Sequence, residues 1–266
     1  MESASKYGML VDYLEKLGSV LVGFSGGVDS ALLLAAALDA LGRERVLAVT
    51  AASPIHPPEE LAEARQLAVT LGARWRAVES GEMENADFLA NPPERCYYCK
   101  KERLALLAEM AAGEGLARVV EGSNRSDLND FRPGFRAVRE AGALSPLIEV
   151  GMNKEEIREA ARKRGISSWN KPSNACLCSR IPYGEKITIE RLQRIYLAEE
   201  VVRSMGVSTV RVRDHGGIAR VEVPAGEIEK ICREENRMHI AQKLSGLGYK
   251  YVAVDLKGYR TGSMNP

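Results

Sequence analysis

"LVGFSGGVDS", residues 21–30, decides how the chain is read. A short apolar run, SVLVGF (19–24), enters Ser25-Gly26-Gly27, passes Asp29-Ser30 and continues as the Ala- and Leu-rich DSALLLAAALDALG (29–42). The first part has the length and β-branching of a buried strand, and the last reads as a helix closed by Gly42. A strand that feeds a glycine turn and then a helix aims backbone N–H groups and the positive helix end at one point, and such a point binds phosphate. Gly26 and Gly27 let an oxyanion approach where a Cβ would stand. Ser25 and Ser30 bring hydroxyl donors, and Asp29 is placed to hold Mg2+ that bridges phosphates. A Walker lysine loop is excluded because no Gly-Lys-Ser/Thr follows, and a dinucleotide fingerprint would need a third glycine. The plainer alternative is a tight turn that needs glycine only for its dihedral angles.

The same alternation repeats outward from this turn. YGMLVDYLEKLG (7–18) precedes it as a helix ending at Gly18. After it come a strand in RVLAVTAAS (45–53), a helix in PPEELAEARQLAVTLG (57–72) with Pro near its first turn, and a strand in ARWRAVES (73–80). A helix in CKKERLALLAEMAAGEG (99–115) and a strand in ARVVEGSN (117–124) follow. Alternating strands and helices predict an α/β fold, a doubly wound and mostly parallel sheet with right-handed crossovers, covered on both faces. In NKEEIREAARKRGI (153–166), Asn153 is the N-cap and Glu156 its capping-box partner. The stretch 167–184 is irregular, with prolines at 172 and 182.

Beyond it the pattern changes. A helix in TIERLQRIYLAEEVVRSMG (188–206) leads to TVRVRDHGGIARVEV (209–223), whose alternation breaks at His215-Gly216-Gly217 as a hairpin would. One helix over AGEIEKICREENRMHIAQKLSGLG (225–248) and a strand in YVAVDL (251–256) complete a smaller α+β domain. The expected division is 1–184 and 185–266.

Size and composition set outer limits. The 266 residues allow one large or two modest cores, and 45% hydrophobic with 27% charged residues is ordinary for a globular chain. With 37 Lys and Arg against 36 Asp and Glu, net charge argues for no particular partner, so a basic site must be local. No run approaches the roughly 18 apolar residues of a membrane span, and the N-terminal stretch is charged throughout, so the protein is expected in the cytoplasm. The five cysteines, Cys96, Cys99, Cys176, Cys178 and Cys232, are odd in number, which in a reducing compartment disfavours a disulfide framework and favours metal or catalytic use.

Ser25-Gly26-Gly27-Val28-Asp29-Ser30 resembles the PP-loop of the ATP pyrophosphatases, the superfamily of NAD and GMP synthetases, argininosuccinate synthetase and tRNA thiolation enzymes. GSNRSDLNDFRPG (122–134) and SPLIEVGMNKEEIREAARKRGI (145–166) resemble further segments of it. The resemblance implies an adenine nucleotide alpha hydrolase-like fold and cleavage of ATP between its α and β phosphates. An oxygen of the substrate is adenylylated, pyrophosphate leaves, and a nucleophile then displaces AMP. It also implies that Asn124 and Asp127 join Ser25, Gly26, Gly27, Asp29 and Ser30 around the nucleotide. Asp127 and Asp130 follow the fourth strand, where they contact nucleotide or metal, or cap a turn.

RCYYCKK (95–101), PSNACLCSRIPYG (172–184) and VRVRDHGGIARVEV (210–223) narrow the likeness to the LarE family of ATP-dependent sulfur transferases in nickel-pincer nucleotide biosynthesis. That family activates a carboxylate of a pyridinium dicarboxylate mononucleotide with ATP and converts it to a thiocarboxylate. In its best-known branch one cysteine gives up its own sulfur and becomes dehydroalanine; Cys176 matches that position. Nearby cations favour a thiolate nucleophile, and Arg180 and Lys171 are close in sequence. Catalytic roles thus fall to Cys176, Arg180 and Asp29. Substrate binding falls to Ser179 and Arg180, to Arg211 and Arg213 on one strand face, with Arg220 beyond the hairpin, and to Tyr97, placed to stack on a pyridinium ring or simply to pack.

The sequence departs from a one-cysteine pattern. Cys96, Cys99 and Cys176 resemble the three thiolates that hold a [4Fe-4S] cluster in iron-sulfur tRNA thiolases, with one iron left open to carry a renewable sulfide. A structural zinc site, with Cys178 as fourth ligand, and separate thiols with a sacrificial Cys176 stand beside that reading. Cys232, at an apolar-spaced helix position, is expected in the core. One of Glu199 and Glu200 is expected to face the site. The partners implied are a mononucleotide substrate and, by resemblance, further copies of the chain. A PP-loop tRNA thiolation enzyme, an amide-forming synthetase and an ATP-binding regulatory module are the competing readings. The near-neutral charge and small second domain weigh against tRNA.

Overall fold

Val20, Leu21 and Val22 have no solvent exposure, as a strand covered on both faces requires. A computed structural model describes residues 5–129, 132–172, 175–260 and 264. In chain order the helices and strands begin with α1 (Lys6–Glu15), β1 (Val20–Gly23), α2 (Val28–Leu41), β2 (Val46–Ala52), α3 (Pro58–Thr70) and β3 (Arg74–Glu79). They continue with α4 (Ala86–Leu89), α5 (Arg95–Gly113), β4 (Arg118–Glu121), α6 (Gly134–Glu140), α7 (Pro146–Glu149) and α8 (Lys154–Lys163). The last are α9 (Ile189–Arg203), β5 (Arg211–His215), β6 (Ile218–Glu222), α10 (Ile228–Cys232), α11 (Glu234–Gly246) and β7 (Tyr251–Val254). No described helix is long and apolar enough to cross a membrane.

These elements form two compact units. The first takes the chain up to Ser53, then Pro58–Asn85 and 94–174. Its sheet has the order β3-β2-β1-β4, all parallel, with Val20 opposite both Val46 and Arg118. Successive residues of β1 serve opposite faces. Val20 and Val22 join a core with Leu10, Leu14, Leu32, Leu33 and Ile157, drawn from α1, α2 and α8. Leu21 joins a second core with Leu47, Leu104, Leu107 and Val138, drawn from β2, α5 and α6. Each face is thus sealed by helices, which is what doubly wound means physically. The capping box of α8 is present, with Asn153 accepting from the Glu156 N–H and Glu156 from the Asn153 N–H.

The second unit takes Pro54–Pro57, Ala86–Pro93 and the chain from Ala175 onward. Its sheet has the order β5-β6-β7; β5 and β6 form the antiparallel hairpin, and β7 lies parallel to β6. Ala198, Val202, Val212, Val221, Ile231, Leu244 and Tyr249 fill its core.

Two expectations need correction. The stretch 225–248 is two helices, because Arg233 leaves the helical region at ψ 144 and separates α10 from α11. Cys232, the last residue of α10, is therefore exposed rather than in the core; Ile231 takes the buried position. In addition, α5 begins at Arg95, so Cys96, Tyr97 and Cys99 are helical.

Candidate active site

In the first unit, β1 and β4 are neighbours at the point where strand order reverses, and the segments leaving their carboxyl ends meet. Gly26 sits at φ +73, and a Cβ there would stand 3.1 Å from the Ala64 Cα and 3.2 Å from its Cβ. Both dihedral and space therefore call for glycine. Gly27 is the N-cap of α2 and brings no side-chain cap, so the head of the helix is left to a ligand. Ser25 and Ser30 tie the turn together: their hydroxyls are 3.2 Å apart, the Ser25 N–H donates to Ser30 Oγ at 3.2 Å, and Ser30 Oγ donates to the Gly27 carbonyl at 3.1 Å. From β4, Gly122 lies so close that a Cβ would stand 3.0 Å from the Ser30 nitrogen.

Asp29 opens α2 and is held from two sides. Asn124 Nδ2 donates to Asp29 Oδ1 at 3.1 Å, and Lys154 Nζ donates to Asp29 Oδ2 at 2.5 Å. The Asp29 and Lys154 side chains are 23% and 28% exposed, which leaves the pair within reach of a ligand. Asp127 accepts the Asn124 N–H at 3.0 Å and pairs with Arg132 at 2.8 Å, while Asn124 Oδ1 accepts the Ser126 N–H. Asp127 thus shapes the turn that presents Asn124. Asp130 lies outside the described residues. Glu121 accepts from Lys100 Nζ at 2.8 Å and from the hydroxyls of Ser123 and Ser145. Burial works against its charge, but Lys100 and the two hydroxyls outweigh that and hold its carboxyl below the usual range.

Lys154, Lys100 and Glu121 are absent from the sequence-based site. Lys154 carries a signal in hindsight, as the first helical residue after a strong N-cap, where an unpaired cation opposes the helix dipole and needs a carboxylate in compensation.

Cys96 and Cys99 lie three apart at the start of α5, hence on one side of it, Cys96 exposed and Cys99 half-buried. Tyr97 is buried; its hydroxyl donates to Glu140 at 2.7 Å, and Arg136 stands 3.5 Å from its ring centre. That ring face is already occupied by a cation.

In the second unit, Cys176 precedes a 3-10 turn over Leu177–Arg180 and is half-buried, whereas Cys178 is fully buried. Arg180 governs the turn. Its guanidinium pairs edge-on with Glu199 and donates through Nη1 to the carbonyls of Ala175 at 2.6 Å and Cys176 at 2.9 Å, and to Ser179 Oγ at 3.1 Å. Burial pulls its pKa down, and Glu199 more than restores it. Glu199 also accepts the Val212 N–H at 3.1 Å, tying the turn to β5. Glu200 is outside this arrangement and pairs with Arg203.

Arg211 and Arg213 share one face of β5 with Arg220 and Glu222 of β6. Arg213 pairs with Glu222 at 2.6 Å and donates to the Ser179 carbonyl at 3.0 Å; Arg220 reaches the other Glu222 oxygen at 3.1 Å. Arg211 is buried, donates to the Val210 carbonyl and lies 5.2 Å from the Tyr259 ring. Burial and the neighbouring Arg180 lower its pKa, the mark of a cation short of negative charge. Ser179, Arg180, Arg211 and Arg213 therefore stand around one short turn with Cys176. Among the described residues, no three His, Cys, Asp or Glu side chains converge as a metal would require.

The NAD synthase family model matches residues 4–108, the segment that carries the glycine turn. A pyridinium-3,5-bisthiocarboxylic acid mononucleotide synthase of Lactiplantibacillus plantarum is 40% identical over 262 residues, 98% of this chain and 94% of that protein. An uncharacterized protein of Synechocystis is 40% identical over 98% of this chain and 97% of its own. An NH3-dependent NAD+ synthetase of Chlorobaculum tepidum is 31% identical over 60% of this chain and 58% of that protein.

Proposed function

The chain belongs to the LarE family of pyridinium-3,5-bisthiocarboxylic acid mononucleotide synthases, and from that membership we propose that it is an ATP-dependent sulfur transferase acting on a carboxylate of a pyridinium dicarboxylate mononucleotide. The first unit is the nucleotide-binding part and the second the part that carries substrate-binding and sulfur-transfer residues. The observation that carries the reading beyond ATP use is Cys176 on a turn clamped by Arg180 and surrounded by Ser179, Arg211 and Arg213.

The chemistry follows from the residues. The backbone N–H groups at Gly26 and Gly27 and the head of α2 hold the ATP phosphates. Asp29 is the residue that would hold Mg2+, which when bound screens the phosphates against an incoming carboxylate. Lys154 moves its charge from Asp29 to the departing pyrophosphate. The substrate carboxylate oxygen bonds to the α-phosphorus, and the bond to the β-phosphate oxygen breaks. Cys176 then attacks the acyl carbon as a thiolate, and AMP leaves with the electron pair of the C–O bond. The product is a thioester on Cys176 Sγ. Loss of the Cys176 α-proton and cleavage of its Cβ–Sγ bond release the thiocarboxylate and leave dehydroalanine. Arg211, short of an anion, takes the substrate's phosphate, and Arg213 supports that face.

One observation favours a second source of sulfur: Cys96 and Cys99 share one side of α5. Two thiolates make a partial ligand set, and no step above runs through a cluster. The test is single-turnover reaction of anaerobically prepared protein with ATP and the mononucleotide. Pyrophosphate release with the mononucleotide but not with tRNA, and loss of hydrogen sulfide mass from the Cys176 peptide, support the reading. Pyrophosphate release only with tRNA overturns it, and an intact Cys176 alongside stoichiometric iron and labile sulfide moves the donor to a cluster.

A further inference from the structure

Asn91 is the only described residue other than glycine with a left-handed backbone, at φ 55, and it has no solvent exposure. Asparagine tolerates that region better than most residues, yet a buried polar amide must find partners. Several of them lie on one segment. Its Nδ2 donates to the carbonyls of Pro182 at 2.8 Å and Glu185 at 3.0 Å, and its own carbonyl accepts the Gly184 N–H at 2.8 Å. Two further backbone bonds extend the grip: the Ile187 N–H donates to the Leu89 carbonyl at 2.9 Å, and the Leu177 N–H to the Ile55 carbonyl at 2.8 Å. The short excursions 54–57 and 86–93 thus bracket the segment 177–187, within the second unit. That segment carries Ser179 and Arg180, and it follows Cys176 directly.

We propose that Asn91 is a positioning residue for sulfur transfer: it fixes the segment after Arg180 so that the Arg180 guanidinium stays on the Cys176 carbonyl. A backbone anchor is needed there because Arg180 is joined to Glu199 on α9, and the turn bearing Cys176 is held in place only if both its ends are held. The inference rests on the reading of Cys176 as sulfur donor.

The test uses Asn91→Gly in the full chain, which keeps the left-handed backbone and removes only the amide. Pyrophosphate release with ATP and the mononucleotide should stay within about twofold of wild type, while thiocarboxylate formation falls roughly tenfold, a step-specific loss that general destabilisation does not give. Hydrogen exchange at the amides of Gly184 and Ile187, in the segment that Asn91 holds, should quicken at least about tenfold in the variant, with the amides of β1 as an unmoved internal reference. Equal loss of both steps, loss of neither, or unchanged exchange at Gly184 and Ile187 overturns the proposal. Should wild type form no thiocarboxylate at all, the functional reading fails, and the exchange of the Gly184 and Ile187 amides alone decides whether Asn91 holds the segment. Should the glycine variant not fold, the same readings on Asn91→Asp, which keeps the shape and replaces the donor by an oxygen, decide in its place.

Discussion

Arg180 and Glu199 meet edge-on through two bonds, Nε to Oε1 at 2.8 Å and Nη2 to Oε2 at 3.0 Å, with side chains only 4% and 3% exposed. The arginine donates onward to two carbonyls of the cysteine turn, and the glutamate accepts from β5. A pair buried this deeply costs desolvation on both sides, so its worth lies in fixing geometry more than in net stability.

Breaking that pair should therefore be severe, and replacing both partners mild. Arg180→Ala leaves a buried carboxylate without its counter-ion and should lower unfolding free energy by about 3–5 kcal/mol. The double variant Arg180→Leu with Glu199→Leu should lose clearly less than the sum of the single losses. Urea titration of the four proteins measures this, and strict additivity would contradict the pairing.

The glycine turn makes a sharper demand. Gly26→Ala adds left-handed strain of about 1–2 kcal/mol and also a contact 3.1 Å from the Ala64 backbone. Gly72→Ala has the same sign of φ, at +76, but nothing within 4 Å, and so reports the backbone strain alone. The Gly26 variant should be the less stable of the two and should bind ATP at least roughly tenfold more weakly, about 1.4 kcal/mol by calorimetry.

Lys154 should matter to chemistry more than to folding. Its side chain is partly exposed, so Lys154→Ala should leave the thermal midpoint within a few degrees. Pyrophosphate release should fall by roughly ten- to hundredfold, about 1.4–2.7 kcal/mol of transition-state stabilisation. A stopped-flow assay of single-turnover pyrophosphate formation would detect it.

Glu121 gives the fold an acid limit. Its carboxyl is held below the ordinary value of 4.5 in the folded chain, against burial, by Lys100 and the hydroxyls of Ser145 and Ser123. A depressed carboxylate stabilises fully above its unfolded pKa and loses that contribution as pH falls through the folded one. The stability difference between wild type and Glu121→Gln should accordingly shrink as pH drops below about 4.5, as read by chemical denaturation across that range.

The sheet was legible because Val20, Leu21, Val22 and their counterparts in β2 are buried on both faces, and that need writes continuous apolar runs into the sequence. The glycine turn was legible because φ +73 beside Ala64 leaves few other residues for position 26. The break at Arg233 was not, since apolar spacing continues on both sides of it while one ψ angle turns the chain. Nor was the Asp29–Lys154 pair, which joins residues 125 apart in sequence. Which glutamate meets Arg180 was equally hidden: Glu199 and Glu200 are adjacent, and only the helix phase set by Ala198 and Val202 in the core turns Glu199 inward.

Because the second unit borrows 54–57 and 86–93 from early in the chain, those stretches leave the ribosome long before Ile181, Pro182, Gly184 and Ile187 exist to complete them. The nascent chain must hold two open ends of hydrogen bonding in reserve while the first sheet forms. Cutting the gene near codon 175 would not yield a smaller folded protein from its 3′ half, since the piece would arrive without the loops that brace its cysteine turn.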